Sequence, residues 1–344
     1  MIAKSNRASI GGWWAIALAV LVVCIIGLTA RRAAAQISGA SVLQADLDAD
    51  NVLVLPAGKT TLDRPLTVKF GQTIKGHGWA SQLVYTGADP YAIVVGVEGK
   101  QCYGAVLRDF RLTGDIDSRG NPLPGGGIRV NRLDQTQRIR DVWIEGSKAD
   151  GLLIDGVGEQ LPIDGVTARE CRGAGVRIVA RGATNGVRLY GCSLQHNDGP
   201  GLHLETLAAN AQLNDVRVVD CIIQGNQRVE ASAEVVARGY VGRLRISGGW
   251  IESGRKKRGL LAEPRKFTTI TSVYPLALGD VTRRVGFLSL TDGAVVSECF
   301  PAMTLTDAYR ADVTGANVWP DAAKVEWSGF EPVAPAGMGV RVQP

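Results

Sequence analysis

The sequence Val142-Trp-Ile-Glu-Gly-Ser147 recurs in four related forms between Asp141 and Glu263. These are Val166-Thr-Ala-Arg-Glu-Cys171, Val187-Arg-Leu-Tyr-Gly-Cys192, Val216-Arg-Val-Val-Asp-Cys221 and Leu244-Arg-Ile-Ser-Gly-Gly249. Apolar residues occupy the first and third positions of each copy, and a small residue or Cys occupies the sixth. The copies start 24, 21, 29 and 28 residues apart. A period in the twenties indicates stacked repeats, each too small to bury its apolar face alone.

Alternating apolar and polar residues predict short β-strands, and the loss of alternation at the fourth and fifth positions predicts a bend. A third short strand follows each bent pair, at 151–155, 175–179, 201–205, 233–238 and 259–263. The sequence therefore predicts an all-β, single-domain, right-handed parallel β-helix with three short strands per coil, the coils about 4.8 Å apart. Leucine-rich repeats have a similar period, but they require a Leu/Asn consensus and a helical side that this chain lacks.

The composition fits this fold. The chain has 344 residues, of which 45% are hydrophobic, 6% are aromatic and 43 are Gly, which suits an aliphatic core with frequent turns. The net charge of +5 arises from 38 basic and 33 acidic residues. This excess is small and scattered, so no nucleic-acid partner is predicted. No cofactor is predicted either.

Residues 1–35 are predicted to lie outside the fold. Lys4 and Arg7 precede an uncharged run over residues 13–30, and Ala33-Ala-Ala35 supplies small residues for cleavage before Gln36. This pattern is typical of a secretory signal. An uncleaved membrane anchor through residues 13–30 is the alternative, because the run is long for a signal. The prediction is a secreted, periplasmic or cell-surface protein, with the β-helix over residues 36–319 and a C-terminal tail over residues 320–344.

Five cysteines remain beyond the predicted signal: Cys102, Cys171, Cys192, Cys221 and Cys299. Cys171, Cys192 and Cys221 share the sixth template position, so they are predicted to stack as an inward ladder. Stacked side chains point the same way, which is poor geometry for a disulfide. They are therefore interpreted as small buried hydrophobes. A zinc site is disfavoured because zinc requires tetrahedral convergence, and no metal is predicted.

The N-terminal part carries further motifs. Residues 36–50 are predicted to form a helical cap, with Val42, Leu43 and Leu47 on one side, over the open end of the β-helix. Val52-Leu-Val-Leu-Pro-Ala-Gly58 and Gly71-Gln-Thr-Ile-Lys-Gly-His-Gly-Trp79 follow. This order resembles the pectate-lyase-like superfamily, in the branch shared with phage tailspikes. The resemblance covers residues 40–90 by motif and 105–263 by repeat, and it implies a fold rather than a reaction.

The outward face of the third strands offers the better set for catalysis. Alternation places two rows outward. The first row is Arg129, Leu153, Arg177, His203, Val236 and Leu261, and the second is Asn131, Asp155, Val179, Glu205, Arg238 and Glu263. In β-elimination on an acidic polysaccharide, His203 would be the base, with Arg177 or Arg238 neutralising the carboxylate. In hydrolysis, Asp155 and Glu205 would be the carboxylate pair. The alternative is a set of surface ion pairs, and the apolar residues indicate that this face is covered.

The outward face of the first strands is predicted to bind rather than cleave. One row is Trp143, Thr167, Arg188, Arg217 and Arg245, and the other is Glu145, Arg169, Tyr190, Val219 and Ser247. Arginine grips carboxylates in a bidentate manner, and Tyr190 and Trp143 could stack on sugar rings. The candidate substrate-binding residues are Arg188, Tyr190 and Arg217, together with Arg177 and Arg238. The alternative is that acidic neighbours such as Glu145, Glu170 and Asp220 neutralise the row.

The enzyme signatures of the superfamily are incomplete. Asp141-Val-Trp-Ile-Glu-Gly146 keeps the Trp of a pectate-lyase motif but has Glu-Gly in place of Asp-His, and only Gly76-His77-Gly78 matches the polygalacturonase set. Two hypotheses of function follow. One is a polysaccharide lyase or glycoside hydrolase of acidic glycans. The other is a non-catalytic, adhesin-like or structural protein that binds glycans or forms a homo-oligomer through the third-strand face.

Overall fold

The structure, a computed structural model, describes residues 39–97 and 102–252, without residues 120, 122, 133–135, 157, 161, 209, 229–232, 240, 243 and 248. Beyond residue 252 it describes the backbone of six further strands between residues 258 and 313. The predictions for residues 1–35, for residues 320–344 and for Cys299 lie outside the described residues. In the part of the chain that is described, no helix is long and apolar enough to cross a membrane.

The described strands form a parallel β-helix. Most coils contribute two consecutive strands to one sheet, here called the double sheet, and one strand to a second sheet, the third-strand sheet. In two coils the pair is one continuous strand, Val106–Thr113 or Arg138–Glu145. The double sheet contains Val52–Val54, Gly58–Leu62, Thr73–Lys75, Ser81–Tyr85, Val106–Thr113, Arg138–Glu145, Pro162–Asp164, Thr167–Arg169, Arg188–Tyr190, Ser193–Gln195, Arg217–Val219, Ile222–Gln224, Leu244–Ser247, Trp250–Glu252, Thr269–Tyr274, Ala277–Leu278 and Val295–Val296.

The third-strand sheet completes each coil. It contains Leu66–Val68, Tyr91–Val95, Gly127–Asn131, Leu152–Asp155, Val176–Ala180, Leu202–Thr206, Ala233–Gly239, Arg258–Pro264, Leu288–Leu290 and Ala311–Val313. A short additional sheet contains Ala183–Asn185, Gln212–Asn214 and Val241–Gly242. The predicted fold class is thus confirmed, because the strand pairs recorded in all three sheets are parallel.

The core is a set of apolar columns along the helix axis. Leu152, Val176, Leu202 and Val235 are consecutive partners in the third-strand sheet, and all four are buried. Such stacking buries aliphatic side chains that a single coil would leave in water, which is the main stabilising contribution of the fold. The same register confirms both predicted outward rows of the third strands, residue by residue.

The register of the double sheet corrects the predicted template. Thr167 pairs with Ser193, not with Arg188, and Arg188 pairs with Pro162. The first two copies of the template therefore belong to a different bend from the last three. Arg188, Arg217 and Arg245 do form one row, but Trp143 and Thr167 lie in a separate column on the second strands.

The cysteine ladder is corrected for the same reason. Cys192 and Cys221 lie on adjacent coils, where the backbone N–H of Cys192 approaches Cys221 Sγ at 3.4 Å. Cys171 instead lies one coil before Asn197, whose side-chain oxygen accepts its N–H at 2.9 Å. The prediction that all three thiols stack in one file was wrong. The prediction that these three are small buried hydrophobes is confirmed, since all three are buried and free, as Cys102 is too.

A buried asparagine pair occupies the bend after the second strands. The Asn197 amide donates to the carbonyl of Ala168 and to the side-chain oxygen of Asn226, at 3.1 and 2.7 Å. The Asn226 amide donates to the carbonyl of Leu194 at 2.9 Å and to Glu234 at 2.6 Å. These bonds satisfy backbone groups that the bend removes from the sheet ladders, so the bend can be buried without orphaned polar atoms.

A helix at Ala40–Asp50 covers the N-terminal end of the coil stack. Leu43 and Leu47 face the core as predicted, but Val42 is 49% exposed, so it does not share their face. Gln44 receives the N–H of Thr67 at 2.8 Å and donates to the carbonyl of Thr67 at 3.0 Å. Its side-chain amide thus bonds the open edge of Leu66–Val68 as a neighbouring strand would.

Candidate functional site

A cleft of about 340 Å³ opens on the outer surface of the double sheet, beside the second strands. It is lined by Lys59, Gln82, Val84, Arg111, Thr113, Gly114, Asp115, Ile116, Leu123, Glu145, Gly146 and Glu170. Strand register explains why residues so distant in sequence meet. Lys59, Gln82, Arg111 and Trp143 are partners on four consecutive coils, so their side chains leave the sheet in one line.

Two tryptophans form the rim next to this cleft. Trp79, on the short 3-10 turn Gly78–Ala80, folds over the sheet and contacts Trp143 edge to face, with ring centroids 4.4 Å apart. The guanidinium of Arg111, which lines the cleft, lies 4.7 Å from the Trp79 ring centre. That of Arg169 lies 6.0 Å from the Trp143 ring centre. Trp79 nevertheless remains 59% exposed, so most of the indole is open to a ligand.

Charged groups at the base of the cleft hold one another in place. Glu145 accepts hydrogen bonds from Arg111 at 2.6 Å and from the Trp143 indole N–H at 3.2 Å. Arg169 lies 3.7 Å from the other oxygen of Glu145 and 2.7 Å from Glu170. One guanidinium therefore joins the two carboxylates. Because both arginines are engaged, their charges are largely neutralised inside the site.

The loop after Thr113 forms one wall of the cleft. It folds back onto the sheet. The Leu123 N–H donates to the carbonyl of Asp115 at 2.6 Å, and the Gly125 N–H donates to the carbonyl of Gly146 at 2.7 Å. A Cβ at Gly114 would overlap the Leu123 carbonyl oxygen, so this crossing requires glycine. Ile116 and Leu123 are 50% and 44% exposed and give the wall an apolar lip.

The third-strand face brings the predicted catalytic residues together as expected. His203 pairs in register with Arg177, Glu205 pairs with Arg238 on the next coil, and Asp155 lies two coils before Glu205. Their side chains are engaged in ion pairs. Arg177 contacts Glu205 at 2.7 Å, while Asp155 accepts from Arg129 at 2.8 Å and from Arg181 at 2.6 Å. The outward-facing Leu153, Val179 and Val236 are buried, so this part of the face is not an open groove.

The electrostatics of this face differ from residue to residue. Burial, with the charge of Arg177 as a second cause, lowers the pKa of His203 to about 4, so the imidazole is neutral at pH 7. Its Nε2 atom is buried and has no hydrogen-bond partner among the described residues. Burial alone would raise the pKa values of Asp155 and Glu205, but the arginines bonded to them hold both below the ordinary value.

One acid on this face was not foreseen from the sequence. The carboxyl of Asp150 lies 3.9 Å from Arg177, on the opposite side of the guanidinium from Glu205, and 3.5 Å from the Tyr91 hydroxyl. Burial raises its pKa, in contrast to that of Glu205. Asp150 precedes a turn glycine rather than sitting in a strand, so alternation gave no signal for it.

One arginine in the row of the first strands has an acidic partner close in sequence. Arg217 binds Asp215, two residues earlier, with Nη2 and Oδ2 2.9 Å apart. This supports the hypothesis that acidic neighbours neutralise the row, although the neighbour is Asp215 rather than Asp220, Glu145 or Glu170. Tyr190 is exposed and lies in the outward column next to Arg188 and Arg217, as predicted.

Sequence reasoning missed the cleft, although it noted Trp143, Glu145 and Glu170 as outward residues. The predicted rows began at Trp143 and so did not include its neighbours Arg111 and Trp79. A usable signal was present, since Arg111 and Trp143 both precede an apolar residue and then a polar one at the end of a strand. Within the described residues, no group of three or more His, Cys, Asp or Glu side chains is placed to hold a metal ion.

No model of a protein family matches this chain, and no curated protein matches it. Full-length tailspike protein 2 from Escherichia coli O157:H7 bacteriophage CAB120 is similar in structure, with a TM-score of 0.55 and 14% identity over 85% of this chain and 39% of that one. A protein of Geobacillus virus E2 gives 0.49 and 11% over 85% and 56%. The A-module of an Azotobacter vinelandii mannuronan C-5 epimerase gives 0.46 and 12% over 87% and 96%.

This chain thus spans less than two thirds of the length of either viral protein. The likeness to the tailspike protein supports the parallel β-helix fold, in agreement with the resemblance read from the N-terminal motifs.

Proposed function

We propose that this protein binds polysaccharide in the cleft beside Trp79 and Trp143. The observation that carries the proposal is the exposed Trp79 indole, which contacts Arg111 of an open cleft lined by polar and apolar side chains. Sugar rings present an apolar C–H face and a polar edge. An exposed aromatic ring can stack on the C–H face, and carboxylate, amide and hydroxyl groups can hydrogen-bond the polar edge.

The rigidity of the site supports binding. Trp79 contacts the Trp143 ring at an interplanar angle of 82° and the guanidinium of Arg111, and both of those residues lie on strands within the double sheet. An indole that is already fixed loses little conformational freedom when a ligand stacks on it. Less of the interaction free energy is then lost to ordering the site.

The experiment compares the unaltered protein, Trp79→Ala and Trp250→Ala. Their binding to a panel of soluble polysaccharides is measured by affinity electrophoresis and then by calorimetry. We expect Trp79→Ala to weaken the Kd at least tenfold. The matched control is Trp250→Ala, because Trp250 is also an exposed tryptophan on a second strand but lies several coils away. Equal affinity in all three proteins would contradict the proposal, as would the absence of any polysaccharide ligand for the unaltered chain.

A second candidate function is cleavage on the third-strand face, with His203 as the base and Arg177 or Arg238 as the neutralising charge. The neutral imidazole favours it, because only the neutral form can accept a proton. The ion pair between Arg177 and Glu205 must open for substrate to reach the arginine. An assay for unsaturated and reducing ends on acidic glycans tests it. Unchanged turnover in a His203→Ala/Glu205→Ala double variant would remove this candidate.

A further inference from the structure

We infer that the cleft takes an uncharged sugar residue, one rich in hydroxyl donors, rather than a uronate or a sulfated sugar. This inference rests on the proposed function, since it specifies the ligand class of the same site. It departs from the acidic glycans that the sequence favoured. Three observations carry it: the sign of the charges that line the cleft, the engagement of its arginines, and the kind of polar atom left open to a ligand.

The carboxylates outnumber the available cations. Glu145, Glu170 and Asp115 line the cleft with three acidic groups, whereas its cationic lining residues are Lys59 and Arg111. Arg111 is bound to Glu145 at 2.6 Å and faces the Trp79 ring. Lys59 is therefore the one lining cation without an ion pair within the described residues. Arg111 and Arg169 offset the charges of Glu145 and Glu170. A carboxylate or sulfate entering the cleft would therefore find one free cation among the described lining residues, Lys59, and the charge of Asp115 beside it.

Three lining side chains offer oxygen acceptors, and Lys59 offers an ammonium donor. Glu170 binds Arg169 through Oε1, and within the described part of the chain its second oxygen has no partner. Asp115 binds the N–H of Ile116 through Oδ1, which leaves Oδ2 unpaired there as well. Gln82 donates its amide N–H to Thr113, which leaves its carbonyl oxygen toward the cleft. Hydroxyl groups of a neutral sugar can donate to all three, whereas an ionised carboxylate has no proton to donate.

Arg169 acts as a positioning residue in this arrangement. Its guanidinium lies between Glu145 and Glu170 and holds the latter at 2.7 Å, so that the free oxygen of Glu170 has a fixed direction. The side chain of Glu170 is 35% exposed, which leaves it accessible to a ligand. Carboxylate acceptors fixed in this way make hydrogen bonds to hydroxyl groups that are stronger than those of neutral acceptors.

The test compares neutral with acidic oligosaccharides of equal length, using hexamers of glucose, galactose and mannose and hexamers of uronic acids. We expect the unaltered protein to bind at least one neutral series at least tenfold more tightly than every uronate. In Glu170→Lys, which reverses one charge, the preference should shift at least tenfold toward uronates. Glu159→Gln serves as a control, because Glu159 is an exposed acid outside the cleft lining, and it should leave the preference unchanged.

The outcomes distinguish a failure of this inference from a failure of the proposed function. Preferential binding of uronates that still depends on Trp79 would overturn the inference and leave the proposed function standing. If Glu170→Lys folds, as judged by an unchanged circular dichroism spectrum, and shows no shift in preference, the inference also fails. Absence of binding to either class would overturn both. Arg169→Lys should keep the preference for neutral sugars while weakening their binding. Arg169→Gln should weaken the binding of neutral sugars more than Arg169→Lys does.

Discussion

Burial and positive charge act together on the imidazole of His203. Its pKa in the folded protein is about 4, against 6.5 in the unfolded chain. The folded state therefore favours the neutral form, and protons bind more tightly to the unfolded state between these two values. Stability attributable to this group is complete above pH 6.5 and is lost as the pH falls toward 4.

We predict that His203→Gln will be less sensitive to acid than the unaltered protein. A difference of this size in pKa corresponds to about 3 kcal/mol. The measurement is the urea midpoint at several values between pH 7 and pH 4, and the unaltered protein should lose more stability over this range than His203→Gln. His77→Gln is the control, since His77 is exposed. Parallel curves for His203→Gln and the unaltered protein would contradict the prediction.

Single residues also show where sequence reasoning stopped. Alternation alone put His203 and Glu205 on the same side of one strand, and one coil of register placed Arg177 and Arg238 beside them. The contacts of Asp150 with Arg177 and Tyr91 were not predicted, because they depend on how a turn and a strand end pack against Arg177. Alternation has no information about such meetings, since it describes only the direction in which a strand residue points.

The two bends of each coil explain the error in register. The fifth template residues Gly146 and Glu170 have positive φ after the second strand, and Gly191 and Asp220 have positive φ after the first strand. Both bends thus combine inward apolar residues at the first and third positions with a left-handed residue at the fifth. The copies starting at Val187 and Cys192 even overlap, five residues apart. Spacing and pattern cannot distinguish the two bends, whereas hydrogen bonds between coils can.

A cross-linking experiment tests the register directly. Thr167 and Ser193 are strand partners with outward side chains, so a Thr167→Cys/Ser193→Cys protein should react rapidly with a short bis-thiol reagent. Thr167→Cys/Arg188→Cys, which the sequence template would make neighbours, should react slowly. The four described native cysteines are buried and should contribute little. A faster reaction in the second protein would restore the template alignment.

The buried pair Asn197 and Asn226 should also contribute to the stability of the folded protein. Asn197→Leu keeps the side-chain size but leaves the N–H of Cys171 and the carbonyl of Ala168 without partners in the interior. We expect a loss of about 3 kcal/mol in the free energy of unfolding, measured in urea. Asn185→Leu is the control, because Asn185 is exposed, and it should cost about 0.5 kcal/mol or less. Equal losses would show that burial at the bend is unimportant.

Across the whole molecule, the sequence predicted the parallel coils, the aliphatic core and the capped N-terminal end, because all three depend on periodicity. It did not predict the cleft. That site requires the turn that carries Trp79, the loop that begins at Gly114 and four coils of the double sheet to meet, and three of those coils precede the first copy of the template. Faces built from one repeated strand were therefore predictable, whereas a site assembled from loops was not.

The cap should protect the molecule from edge association. Gln44→Val removes both hydrogen bonds to Thr67 and opens the edge of Leu66–Val68. We expect concentration-dependent self-association, measured by light scattering near the unfolding midpoint. Ala45→Val introduces the same branched side chain at an exposed helix position and should not aggregate. Comparable scattering from both variants would mean that lower helix propensity, not the opened edge, is responsible.

The dependence of that edge on one side-chain amide makes it vulnerable to chemical ageing. Slow hydrolysis of Gln44 to glutamate would replace its N–H donor with a carboxylate oxygen and set it against the carbonyl of Thr67. A long-stored preparation would then lose solubility with no cut in the chain and a mass gain of about one dalton, small enough to pass unnoticed.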